Sequence, residues 1–76
     1  MRLEELAREY RTTAAVFADR VNTLRRQLAA GGLGTMEQYR LYRRIEMLTG
    51  MQRELRATAR VLERYYEEAD RHARLR

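Results

Sequence analysis

From Gln38 to Arg76 one stripe of residues recurs in alternating steps of three and four: Leu41, Ile45, Leu48, Gln52, Leu55, Ala59, Leu62, Tyr66, Ala69 and Ala73. An average step of about 3.5 is the coiled-coil repeat, which keeps one face of a helix turned to one partner. A strand alternates its faces every second residue and cannot hold that pattern. The stretch is therefore a long amphipathic helix. Beside the seam runs a second ridge, Met47, Met51, Thr58 and Tyr65. At about 100° per residue the two ridges span about 160° of the helix, wider than the stripe one neighbouring helix covers.

The preceding half carries a narrower stripe. Leu3, Leu6, Tyr10, Ala14, Phe17, Val21, Leu24 and Leu28 fall within about 80°, a seam for one partner. Between the halves, Ala30-Gly31-Gly32-Leu33-Gly34-Thr35 holds three of the four glycines. Glycine supplies the left-handed conformations that a helix C-cap and a tight turn require. Thr35 followed by Gln38 has capping-box spacing, and Leu33 is expected to tuck back against the helices. The reading is one domain: a first helix over about 2–30, a loop over about 31–34 and a second helix over about 35–74. Gly50 interrupts the second helix at a cost of about 1 kcal/mol relative to Ala. The seam keeps its phase across it, so a continuous helix is expected.

So short a loop makes the helices antiparallel neighbours. Folding about Gly32 pairs positions whose numbers sum to about 65. Phe17 then lies near Leu48, Tyr10 near Leu55, Leu6 near Ala59 and Leu3 near Leu62. Beyond about Arg64 the second helix overruns the first, leaving Tyr65, Tyr66, Ala69 and Ala73 without an intrachain partner.

A chain of 76 residues buries a marginal core and needs disulfides, metal or self-association. It has no Cys and a single His, His72, which removes the first two. The expected architecture is an all-α antiparallel hairpin that pairs as a homodimer into a four-helix bundle. The expected interface is Met47, Met51, Leu55, Thr58, Leu62, Tyr65, Tyr66 and Ala69. The longest apolar run, Ala14 to Ala18, is five residues, against about 20 for a membrane span. Met1-Arg2-Leu3-Glu4-Glu5 lacks the apolar core of a signal peptide. No membrane association is expected, and the cytoplasm is the expected location.

Charge is spread unevenly. All sixteen basic residues are Arg. Residues 1–19 carry three Arg against four acids, residues 20–44 six Arg against Glu37 alone, and residues 45–76 seven Arg against six acids. The excess of five thus sits around the loop, where Arg20, Arg25, Arg26, Arg40, Arg43 and Arg44 would gather with Tyr39 and Tyr42. Such a tip suits an anion, an acidic protein surface or nucleic acid. The plainer reading is a solvated helix end with snorkelling arginines. Tyr10 and Tyr66 fall on the seams and Tyr65 on the second ridge, which makes them packing residues. Gln52 is either a register-fixing polar residue or a boundary position.

Glu63, Glu67 and Asp70 line up near His72 but lack the Glu-x-x-His motif of a bundle metal site. Their expected role is a solvated face with the pairs Glu67–Arg71, Glu68–Arg64 and Asp70–Arg74. With no Cys, Ser or Lys the chain offers no nucleophile–base set, and neither an enzyme nor a cofactor is expected.

The segment Thr58-Ala59-Arg60-Val61-Leu62-Glu63-Arg64-Tyr65-Tyr66 resembles small uncharacterised helical-hairpin proteins of mobile elements in gut Firmicutes. The resemblance covers mainly the second helix and implies no known activity. The function expected from the residues is a structural or adaptor module that binds through helix packing. The alternative is a small nucleic-acid-binding regulator that uses the arginine tip.

Overall fold

The structure, a computed structural model, describes residues 2–75. Met1 and Arg76, the last position of the amphipathic stretch that begins at Gln38, lie outside the described residues. Two helices, α1 (Leu3–Ala30) and α2 (Thr35–Leu75), fold back on one another. Among the described residues there is no strand. The molecule is a rod of 64 × 18 × 14 Å. The 41 residues of α2 account for its length at about 1.5 Å per residue.

Glycine makes the reversal. Gly31 and Gly32 take φ of 75° and 78°, left-handed values that a Cβ would strain. The Gly31 N–H donates to the Leu28 carbonyl at 3.2 Å and closes α1. At the other side of the loop, the Gln38 N–H donates to the Gly34 carbonyl at 2.9 Å. Gly34 therefore occupies the cap position, and Thr35 is already helical. The expected Thr35–Gln38 capping box is corrected accordingly, because a box needs Thr35 outside the helix. Gln38 instead reaches back with Nε2 to the Leu33 carbonyl at 3.4 Å. Leu33 is half-buried. Helix α2 runs unbroken through Gly50, where an added Cβ would meet nothing within 4 Å.

The seam changes character along its length. Near the loop, Val21, Leu24 and Leu48 are buried, with Phe17, Leu41 and Ile45 packed onto them. Toward the free ends the buried positions become small: Ala7 and Ala14 are 1% exposed and Ala59 is 0%. Ala7, not Leu6, holds the seam position. It keeps the strict three-and-four alternation with Leu3, Tyr10 and Ala14, whereas Leu6 sits half-buried at the edge.

Polar contacts tie the helices nearer the free end. Arg11 holds Glu63 with two hydrogen bonds, Nε to Oε2 at 2.9 Å and Nη2 to Oε1. Glu4 stands beside Tyr66, and its negative charge raises the Tyr66 phenol pKa above the ordinary value. Side chains lean toward the N-terminus of their own helix. Those of α1 therefore reach residues further along α2 than the loop midpoint implies, joining numbers that sum to 74 and 70. Tyr66, expected to lack an intrachain partner, has one in Glu4. Past Tyr66 every residue to Leu75 is exposed except Asp70, which pairs with Arg74 at 3.2 Å. The expected Glu67–Arg71 and Glu68–Arg64 pairs do not close. No helix among the described residues is long and apolar enough to cross a membrane.

Candidate functional site

Because the seam buries one side of α2, about 100° per residue assigns each remaining position to a flank or to the outer face. The two flanks lie on opposite sides of the helix. One carries the apolar ridge: Met47 is 58% exposed, Met51 41% and Tyr65 61%, and Thr58 and Val61 are exposed beside them. Below this ridge a groove of about 310 Å³ runs between the helices, lined by Tyr10, Thr13, Phe17, Met51, Leu55 and Thr58, with Glu54 on its rim. Of the remaining expected interface residues, Leu62 is half-buried in the seam, Tyr66 sits on the seam against Glu4, and Ala69 is exposed on the overhang. Between Arg44 and Glu68, Glu54 supplies the one charge on this flank.

The opposite flank carries Thr49, Arg53, Arg56, Arg60 and Arg64. Thr49, Gln52, Arg53, Arg56, Ala57 and Arg60 line a shallow groove of about 380 Å³. Gln52 turns its amide oxygen to Arg56, 3.1 and 3.2 Å from its two terminal nitrogens. It is thus a boundary residue engaged with its own helix. Thr12, Thr13 and Thr23 donate their hydroxyls to the carbonyl four residues back at 3.0–3.1 Å. The Thr49 hydroxyl is buried and finds no partner in the protein, a condition that costs about 1–3 kcal/mol.

Glu63 edges this flank but belongs to Arg11. Hydrogen bonding from that guanidinium holds its carboxyl below the usual carboxylate range, with a smaller contribution from the charge of Arg60, and the carboxylate in turn raises Arg11. Both groups are exposed, so the pair contributes little to stability.

The six tip arginines are all exposed and do not share a face. Arg20, Arg40, Arg43 and Arg44 stand toward the apolar flank, Arg25 toward the Arg11–Glu63 side, and Arg26 outward. Arg26 donates from Nη2 to the Thr23 hydroxyl at 3.2 Å. Tyr39 and Tyr42 are exposed on α2 away from the seam, Tyr42 at the head of the arginine flank. Among the described residues no three His, Cys, Asp or Glu side chains gather as a metal site. The flank at Arg53, Arg56 and Arg60 went unread in the sequence. Its signal was there: arginines three and four apart on one helix face, with no acid three or four positions from Arg53 or Arg56.

No family model matches this chain, and no curated protein or solved structure matches it.

Proposed function

We propose that this protein is a structural or adaptor module of the cytoplasm that acts by helix-to-helix binding, with a second copy of itself as its first partner. The supporting observation is the uncharged ridge Met47, Met51, Thr58 and Tyr65 beside an open groove. The large side chains buried within one chain are few, Val21, Leu24 and Leu48. A hairpin with so thin a core and an exposed apolar flank gains most by covering that flank. A two-fold dimer burying Met47, Met51, Leu55, Thr58, Leu62 and Tyr65 against their equivalents is a four-helix bundle.

Charge supports an antiparallel pairing. The loop end of the apolar flank carries Arg20, Arg40, Arg43 and Arg44, and its free end carries Glu9 and Glu68. Reversing one copy sets bases over acids, whereas a parallel pair would set like charges together. The arginine tip is a weaker footing for function, since its six guanidiniums stand on three faces and no single phosphate run meets them together. Because folding and association are linked in such a dimer, its melting temperature should rise with protein concentration. A constant melting temperature over about a hundredfold range would contradict this reading.

A further inference from the structure

We propose that the flank of α2 opposite the apolar ridge is a nucleic-acid site, in which Arg53, Arg56 and Arg60 take a phosphodiester backbone without reading its bases. The inference does not rest on self-association, because the two flanks lie on opposite sides of the helix.

Arg53, Arg56 and Arg60 line one groove, and none of them is in an ion pair among the described residues. Glu63, three residues on from Arg60, is held by Arg11 from the other helix. Guanidinium forks match phosphate oxygens in pairs. Arg53 and Arg60 stand about 10.5 Å apart along the axis. One phosphate cannot meet all three arginines, but successive phosphates of a chain can.

On the outer edge Gly50 leaves open space around the backbone, which lets a chain approach closely. No aromatic ring lines the groove, so bases have nothing to stack on and binding is sequence-neutral.

The test is fluorescence anisotropy with the full chain and labelled mixed-sequence RNA and DNA strands of about 20 nucleotides at about 50 mM salt. Wild type should bind, more weakly as salt rises. Arg53→Gln with Arg56→Gln and Arg60→Gln should weaken binding at least about tenfold and flatten the log–log salt slope by about two to three. Arg40→Gln with Arg43→Gln and Arg44→Gln removes the same charge from the tip and should change affinity less than about threefold. Three results would overturn the proposal: no wild-type binding, equal losses from both triple variants, or competition by polyglutamate as strong as by DNA of equal charge. Should a triple variant lose helicity, the single variant Arg56→Gln decides the matter: it should weaken binding and flatten the salt slope by about one, and an unchanged slope would overturn the proposal.

Discussion

The two flanks of α2 are built on the same backbone and share the same seam, yet they ask for opposite surroundings. On one side Met47, Met51, Thr58 and Tyr65 expose apolar or uncharged surface, which water favours covering. On the other, Arg53, Arg56, Arg60 and Arg64 make no ion pair among the described residues, and desolvating them unpaired is costly. A second copy can therefore settle on the first flank and not on the second. In the proposed dimer the difference orients the hairpin: apolar surface sets which face closes, and unpaired charge sets which face stays outside.

The comparison breaks most visibly under charge reversal or insertion. Met51→Glu with Tyr65→Glu would bury two carboxylates at the proposed contact, dissociate the dimer and remove much of the helix signal in circular dichroism. Arg53→Glu with Arg60→Glu, a larger change in net charge, should leave both association and helicity intact. Equal damage from the two pairs would erase the distinction between flanks. A smaller effect sharpens the antiparallel pairing. Arg44→Glu should weaken the dimer about fivefold, since two equivalent contacts are lost at about 0.5 kcal/mol each. Adding Glu68→Arg in the same chain should restore it, as measured by sedimentation equilibrium.

Gly50 lies on the outer face between the flanks, with open space around it. Gly50→Ala should stabilise the protein by about 0.5–1 kcal/mol in chemical denaturation, by the same amount at every protein concentration. The smallest effect belongs to Glu63. Its carboxyl is held low in the folded state, so its contribution is present above the ordinary carboxylate range. That contribution fades as pH falls through and below this range. Acid titration of Glu63→Gln against wild type should show a slight narrowing of the stability difference at low pH, and no difference in slope near neutrality.

Much of this hairpin was legible because periodicity and glycine placement are local signals. The three-and-four seam gave both helices, and Gly31 and Gly32 take the positive φ that their position in the loop implied. The unbroken phase across Gly50 foretold a continuous α2. What escaped reading was relational. Ala7 hides in the seam behind the larger and more conspicuous Leu6, because burial follows angular position before size. The cap fell to Gly34, since a carbonyl can close the first turn without the Thr35 side chain. Arg11 and Glu63 lie 52 positions apart, and only the lean of side chains along antiparallel helices brings them together. The tip arginines cluster in sequence but scatter around two helices. The groove arginines, spaced along one helix, share a face.

The central claim is that the apolar flank is closed by a second copy, and sedimentation velocity of the wild-type chain at micromolar concentration tests it most directly. The account predicts one dimer species that dissociates on dilution with concurrent loss of helix signal. A stably folded monomer under the same conditions would contradict it.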